Sequence, residues 1–566
     1  MGLPENELLS KITGSLNCQS TAPATISIQP ETTGTVNDGN CYNAHAADNS
    51  VSGHDCPTMS EEKDKSTLRS NLTRRDALKL LGAGATVLVA ADQLHAVDVS
   101  QPSPALKADV VVVGAGFAGL SAARALMRQS KKVVVLEARD RVGGRVKAAQ
   151  IAGRVIDAGG MWVGPTQTRL LDLIKEYGLH TVPQFETGAN IAELGGKRLT
   201  ASGETLGLDS ETQAEYDRIV KDLTKLSDQI PLDAPWTLPH AEEYDHMTAD
   251  DWFQSQTKNN IVLDFLRAYV RGIFTADSYQ ISFLFFLFYL RSGDNYDMLY
   301  GFENAAQAWT VKETMHQVAA RVAAELGRAI VLQAPVRTIS QDAGGVLVNS
   351  DVGSWKCDYA IVAVPLPLSV RINYKPVLPP ERDILAQHMP MGSVIKYWVA
   401  YEKPFWRERG LNGMLQSDQP PSEFISGDFT PAEGRPGLLA GFIEAHNAIA
   451  WTGRPMEERK KLVVERLVNF LGPEAAHPID YEDQDWPADP WSRGCYGASM
   501  MPGVMTTVGK VIRQPHGRIH WAGTETSTKW MGYIDGAIRS GDRAAEEVLA
   551  RVKSEKQARQ AGSMAR

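Results

Sequence analysis

The sequence predicts an α/β protein of two interleaved domains, and three observations carry that reading. A β-branched run, Asp109 to Val113, feeds a glycine-rich turn and then a helical pattern. Residues from about 165 to 325 read as mainly helical, and a strand-rich stretch follows them. Strand and helix patterns return near the C-terminus, at Ile519 to Ala522 and about Ile534 to Arg551, so one domain draws on both ends of the chain with the other inserted between. At 566 residues and 43% hydrophobic content the chain is long enough to bury two such cores.

Composition excludes several functions. With 58 basic against 67 acidic residues and a formal charge of -9, nothing favours phosphate backbones or anionic lipid, and nucleic acid is not an expected partner. The five cysteines lack CxxC or Cys/His metal spacing, so neither a disulfide framework nor a zinc site is implied. His240, Glu242, Glu243, Asp245 and His246 are metal-capable, but they fall in a Pro-rich segment that reads as solvated surface, and no metal is predicted. The longest strongly apolar run, Phe283 to Leu290, is well short of the roughly 20 residues that span a bilayer, so a soluble protein is expected.

Along the chain, residues 1–70 are dominated by Ser, Thr, Asn, Asp and Gly and read as a flexible tail. Residues 71–104 hold Thr73-Arg74-Arg75-Asp76-Ala77-Leu78-Lys79 and the apolar stretch Leu80 to Ala91. They resemble a twin-arginine export signal, with an amphipathic linker helix as the alternative; the protein is exported or periplasmic in the first case and cytoplasmic in the second. Residues 105–185, 326–370 and 491–552 are assigned to one domain. Residues 186–325, mainly helical, and 371–490, a sheet, form the inserted domain, and 553–566 a polar tail.

The strand ending at Val113 runs into Gly114-Ala115-Gly116-Phe117-Ala118-Gly119 and then the helical pattern Leu120 to Arg128. In such a unit Gly114, Gly116 and Gly119 let backbone N–H groups approach a pyrophosphate, and the helix start adds a favourable dipole. A second strand, Lys132 to Leu136, ends at Glu137, eighteen residues after Gly119, where a carboxylate accepts hydrogen bonds from ribose hydroxyls. The first domain is therefore Rossmann-like. Arg139, Arg141, Gly144 and Arg145 extend the site with guanidinium groups suited to a diphosphate, which favours FAD over NAD.

With its Arg-x-Gly-Gly-Arg element at residues 141 to 145, the chain resembles the flavin-containing amine oxidase family, and the likeness runs from about Ala108 to Leu549. Ala158 to Gln167 looks like the block in which the family's backbone passes the isoalloxazine ring, here with Gly160, Met161 and Trp162. Gly523-Thr524-Glu525-Thr526 and Trp530 to Ala537 are similar to the motif that closes the flavin site. Val336 and Trp486 fall at family positions that contact the cofactor, and a helix starting near Ile534 would aim N–H groups at the flavin N1/C2 edge. The resemblance implies an FAD-binding domain, an α+β substrate domain, a small-molecule amine and O2 as partners, and an assembly that allows a homodimer. The C-terminal membrane anchor of the family's mitochondrial members is not expected here.

Within that family the chain looks most like the monoamine oxidases. Tyr496 and Tyr533 match two tyrosines that face each other across the substrate nitrogen, and Lys396, in Met391-Gly392-Ser393-Val394-Ile395-Lys396, matches a lysine that holds a water against flavin N5. Strand alternation puts Lys396 with Val394, Trp398 and Ala400 on one face, an expensive place for an ammonium. Cys495 sits where some members attach FAD through a thioether; a cysteine that packs against the ring is the alternative. Gln307 matches a cavity-lining glutamine, and Met298 and Leu299 fall at the gate between entrance and inner cavity. Departures follow: Glu313-Thr314 replaces a Gly-Gly turn, and Asp294, Tyr296 and Asp297 add acid and bulk near the expected entrance. The implied activity is oxidation of a primary amine to an imine, then aldehyde and ammonia, with O2 reduced to hydrogen peroxide. Polyamine oxidation, L-amino acid oxidation with Arg271 facing the carboxylate, and an FAD protein without oxidase activity are the alternatives.

Overall fold

The structure is a computed structural model that describes residues 105–202, 207–418 and 424–564; the segments read as tail and as export signal or linker lie outside the described residues. A five-stranded parallel sheet forms the centre of the first domain. Its order is Ile330–Val331, Val133–Leu136, Val110–Val113, Tyr359–Val362 and Ile519–Trp521, so strands far apart in sequence lie side by side. All four residues of Val110–Val113 are buried, as an unbroken apolar run requires when both sheet faces are covered. One cover is the helix pair Phe117–Arg128 and Ile534–Met564. These helices cross closely at Gly541, where a Cβ would lie 2.2 Å from the Ala118 carbonyl oxygen.

The final helix runs to Met564, well past the expected end near Arg551. Its extension, Lys-Ser-Glu-Lys-Gln-Ala-Arg from residue 553, has good helix formers but no apolar stripe to announce it. Glu555 in this part accepts a 2.7 Å hydrogen bond from the Tyr359 hydroxyl, a contact that only the tertiary fold supplies.

A seven-stranded sheet forms the second domain, in the order Asp480–Asp485, Val394–Tyr401, Gly437–Glu444, Phe424–Asp428, Leu411–Ser417, Ala189–Leu194 and Lys197–Ser202. Within residues 165 to 325, which are mainly helical as read, the last two strands are an interruption. They form a hairpin whose turn, Gly195-Gly196, has both residues at positive φ (57° and 72°), the conformation a two-residue hairpin loop demands. Thr181–Pro183 and Trp309–Val311 are also strands. The apolar segment behaves as expected: helix Phe283–Ser292 is buried from Phe283 to Leu290.

Val394–Tyr401 is buried along all eight residues. Ile395, Tyr397, Val399 and Tyr401 pack into a core with Leu462, Val463 and Leu467, while Val394, Trp398 and Ala400 belong to clusters on the opposite face. Period-two alternation thus turns Lys396 toward the first domain.

Thr314, which stands in place of a family glycine, has φ 80° and ψ 147°, a region that β-branched residues almost never occupy. Its buried hydroxyl has no hydrogen-bond partner among the described residues. Such strain costs on the order of 1–3 kcal/mol, whereas glycine's extra chain entropy costs roughly 0.5–1 kcal/mol. Thr314→Gly is therefore expected to raise stability by about 1 kcal/mol, read as a higher denaturant midpoint at unchanged slope.

Candidate active site

Where the two domains meet, a cavity of about 500 Å³ is lined from both. Its first part is the glycine cradle. Gly114 has φ 102°, and a Cβ there would lie 2.9 Å from the Ala363 carbonyl oxygen; a Cβ on Gly119 would lie 1.9 Å from the Gly114 carbonyl oxygen. Gly119 thus keeps helix and strand in contact without lining the cavity itself, whereas Gly114, Gly116 and Gly144 form its wall. Gly144 meets Gly116 with 3.2 Å between a Cβ position and the Gly116 Cα, so two loops approach backbone to backbone.

Glu137, 3% exposed, accepts the Ala115 N–H at 2.7 Å and the Arg139 N–H at 2.9 Å and presents its carboxylate at the cavity wall. Arg139 lines the wall beside it, held by Asp489 and Ser492 at 2.7 Å each, and its buried Nε–H has no hydrogen-bond partner among the described residues. Arg141 departs from expectation. Its guanidinium turns onto the carbonyls of Val142, Gly144 and Val146 at 3.0–3.1 Å, where it shapes the loop and does not line the cavity. A backbone cradle, an unsatisfied N–H and a ribose-facing carboxylate fit a flavin dinucleotide.

Arg145 ties the N-terminal motif to the C-terminal one. It donates to the Tyr496 carbonyl at 2.7 Å and to both oxygens of Glu525 at 2.6 and 3.2 Å. Glu525 is behind the wall; Gly523, Thr524 and Ile534 are in it, with the Thr524 hydroxyl donating to the Tyr533 carbonyl at 2.8 Å. Val336, Trp486 and Cys495 also line the cavity. Burial pushes the Cys495 thiol up to about 12, against the pull of Arg145.

Tyr496 and Tyr533 come together on this cavity, which no spacing in the sequence could establish. Burial holds both phenols far above the ordinary tyrosine range, so both remain protonated. Their hydroxyls are anchored to separate partners: Tyr533 donates to the Leu299 carbonyl at 2.8 Å and Tyr496 to Glu444 at 3.1 Å. Each ring is therefore fixed in orientation by its polar end.

Lys396, 2% exposed, lines the same cavity. Its Nζ donates to the Gly159 carbonyl at 2.8 Å and contacts Met161 Sδ at 2.6 Å. The rings of Trp162, Trp398 and Phe442 lie 5.6–5.7 Å away, a cation–π surround. Burial depresses its basicity well below that of an ordinary lysine, with Asp157 pulling the other way. Gly160, Met161 and Trp162 line the cavity as expected, and Trp162 is oriented by a 3.0 Å bond from its Nε1–H to Gln184.

The gate residues differ from expectation. Gln307 lines the cavity, but Met298 and Leu299 do not; Tyr300 and Phe302 do. In the short helix Tyr296–Tyr300 the inward face is set by packing, and Leu299 is fully buried. Asp294 is held by Lys529 and the Thr166 hydroxyl, and Tyr296 is a core residue stacked on Tyr269. Neither charge nor bulk is therefore added at the cavity mouth by these two. Arg271 is not in the wall; it approaches Asp277 at 3.9 Å. Among the described residues no group of three or more His, Cys, Asp or Glu could hold a metal, and no helix is long and apolar enough to cross a membrane. Asp245, in the metal-capable stretch, is buried against Ser282 and Thr506.

Sequence reasoning missed Tyr289, Tyr300, Phe442 and Glu444 in the wall. Tyr289 had a legible signal, since it is the single hydroxyl in the apolar run Phe283 to Leu290. Its ring occupies space that a Cβ on Gly532 would invade, at 2.0 Å from its hydroxyl. Glu444 had none: it ends a fully buried strand, where a carboxylate is unexpected.

This geometry agrees with three kinds of relative. The chain is similar to the flavin-containing amine oxidase A of Equus caballus, at 36% identity over 78% of this chain and 85% of the relative. Its fold resembles a solved structure of wild-type putrescine oxidase bound to putrescine, with a TM-score of 0.76 and 34% identity over 79% of this chain and all of that one. It also resembles cyclohexylamine oxidase from Brevibacterium oxydans, at a TM-score of 0.75 and 31% identity over 79% of this chain and 99% of that one. A family profile described as flavin containing amine oxidoreductase matches residues 117–549. With cradle, paired tyrosines and buried lysine gathered on one cavity, the chain belongs to the flavin-containing amine oxidoreductase family.

Proposed function

We propose that this FAD-dependent amine oxidase acts on primary amines with O2 as acceptor, giving an imine that hydrolyses to aldehyde and ammonia, and hydrogen peroxide. The observation that carries the reading is the convergence of Tyr496, Tyr533 and Lys396 on one cavity. FAD, when bound, supplies the acceptor for the α-carbon hydride and the reductant for oxygen. Gly114, Gly116, Gly144, Glu137 and Arg139 would hold its dinucleotide half, and Gly160, Trp162, Trp486 and Thr524 the ring half. Tyr496 and Tyr533 orient the amine between fixed ring faces, and the surrounding apolar wall excludes water, which favours the uncharged nitrogen that hydride loss requires. Lys396, its Nζ fixed by the Gly159 carbonyl, would hold a water for the oxygen-reducing step when FAD is bound.

An amine panel scored for peroxide tests this. Primary amines are expected to yield peroxide in proportion to amine consumed and to bleach the bound flavin without air; a yellow protein that no amine bleaches would end the reading. A second reading, diamine oxidation, is favoured by Glu444: an acidic side chain in the substrate wall complements a second cationic end. Diamines outpacing monoamines of equal length, with the advantage lost in Glu444→Leu, would establish it.

Cys495 supports covalent attachment of FAD, since its thiol lines the cavity beside Tyr496. Acid-denatured protein is expected to keep its flavin, and Cys495→Ala to release it; release from the native protein would exclude the bond.

A further inference from the structure

A second cavity, of about 370 Å³, has no part in the chemistry described so far. Thr526, Ser527 and Ser540 form the buried part of its wall. Two of these hold Gly523, which belongs to the wall of the first cavity: the Ser540 hydroxyl accepts its N–H at 3.0 Å, and the Thr526 hydroxyl donates to its carbonyl at 2.9 Å. The turn that closes the flavin site is thus braced by residues of the second cavity.

Five basic side chains line this cavity, Arg169, Arg513, Lys529, Arg539 and Arg543, against the acids Asp233, Asp542 and Glu546. Such an excess is unexpected in a chain of formal charge -9. Part of it is answered from outside the wall, since Lys529 pairs with Asp294, Arg539 with Asp535 and Arg543 with Glu547. Arg169 reaches Asp542 only at 3.7 Å. Arg513 forms no ion pair among the described residues; its Nη2 donates to the Asp233 backbone carbonyl at 2.7 Å, which leaves its other N–H groups unspent. Burial and then the neighbouring Arg543 lower its basicity by more than Asp233 and Glu547 restore.

A buried arginine adds to the positive field at this corner. Arg382 is 4% exposed, and among the described residues it too has no carboxylate partner, although arginine is almost never buried unpaired. Its Nη1 donates to the carbonyls of Val511 and Ile512 at 3.3 and 2.7 Å, directly before Arg513 in the chain. Its guanidinium lies 4.0 Å from the centre of the Trp521 ring, and Arg543 donates to the Trp521 carbonyl at 2.8 Å.

We propose that the second cavity binds a phosphate group, with Arg513 as its principal charged donor and Arg169 as the second. Guanidinium groups with unspent N–H groups suit a tetrahedral oxyanion. The acids Asp542 and Glu546 select among oxyanions. They repel one that is fully ionised, as sulfate is, and accept a hydrogen bond from one that keeps a proton, as hydrogen phosphate does. Bound there, the phosphate relieves the repulsion between Arg513 and Arg543. Because Arg543 donates to the Thr526 hydroxyl at 2.9 Å, it also steadies the contact that holds Gly523. The site stands whether or not the enzyme prefers primary amines.

Titration calorimetry of the flavin-loaded full chain tests this, with inorganic phosphate, glycerol phosphate, sulfate and chloride as probes at one ionic strength. Phosphate is expected to bind once per chain and to raise the unfolding temperature, as a ligand of the folded state alone does. Arg513→Gln should weaken that binding about tenfold or more, the loss expected for one hydrogen bond to a charged group, and the thermal gain should shrink with it. Tighter binding of inorganic phosphate assigns the site to the free ion, and tighter binding of glycerol phosphate assigns it to a phosphate ester. A native enzyme that takes up neither, sulfate or chloride that binds as well as phosphate, or an Arg513→Gln protein of undiminished affinity overturns the proposal. Should Arg513→Gln not fold, Arg169→Gln replaces it, since that side chain is half-exposed and loosely paired; phosphate binding unweakened there overturns the proposal equally.

Discussion

Lys396→Met is expected to slow reoxidation of the reduced flavin by about 100-fold, the loss typical when a preorganised charged donor is removed from a water-poor site. Flavin affinity should change little, because the dinucleotide is held elsewhere, by the cradle and by Glu137 and Arg139. Methionine matches the lysine stem in length, so the cage of Trp162, Trp398 and Phe442 keeps its packing. Stopped-flow mixing of the amine-reduced enzyme with oxygen measures the step alone. An oxygen rate equal to that of the native enzyme would show that Lys396 is only a packing residue. Because burial lowers its basicity, the native rate should also fall as pH rises through the lysine midpoint, and Lys396→Met should lose that dependence.

The largest effect on stability is expected at Arg145. Its guanidinium forms a bidentate pair with Glu525, whose side chain is 2% exposed, and also holds the Tyr496 carbonyl. Arg145→Met leaves that carboxylate buried beside an apolar stem, a change that costs about 3–5 kcal/mol. It also frees the backbone that carries Cys495 and Tyr496, so flavin binding should weaken with it. The double variant Arg145→Met, Glu525→Leu should recover most of the lost stability, because an apolar pair of similar volume no longer strands a charge. Denaturant midpoints of the two single variants and the double variant give the coupling directly. If the double variant is as unstable as Arg145→Met alone, the pair is not what holds the two motifs together.

The parts read well from the sequence were those governed by local rules. Val110–Val113 and Val394–Tyr401 fall within a residue of their expected bounds, and the helix Phe117–Arg128 starts three residues before the expected Leu120, because hydrophobic period and glycine placement are properties of contiguous residues. Alternation put Lys396 on one face with Val394, Trp398 and Ala400, and the fold decided that this face is buried. Local rules also contained one missed signal, the Gly195-Gly196 turn, which overrides a helical reading of its surroundings. Met298 and Leu299 were placed at the gate by likeness, but whether a residue on a five-residue helix faces cavity or core depends on its neighbours, and Tyr300 took that place. Arg141 shows the same limit, since one guanidinium can satisfy a distant phosphate or its own loop.

The sequence by itself determined the cofactor cradle and the buried strand that carries the lysine, since backbone freedom at glycine and the two-residue period of a strand act within a few residues of chain. Tertiary structure decided the chamber. Tyr496, Tyr533 and Glu444 come from three separate segments, and their meeting depends on sheets that join strands hundreds of residues apart. The protonation of Tyr496, Tyr533 and Lys396 follows from that meeting as well, because burial dominates it, and burial is not written in the order of the residues.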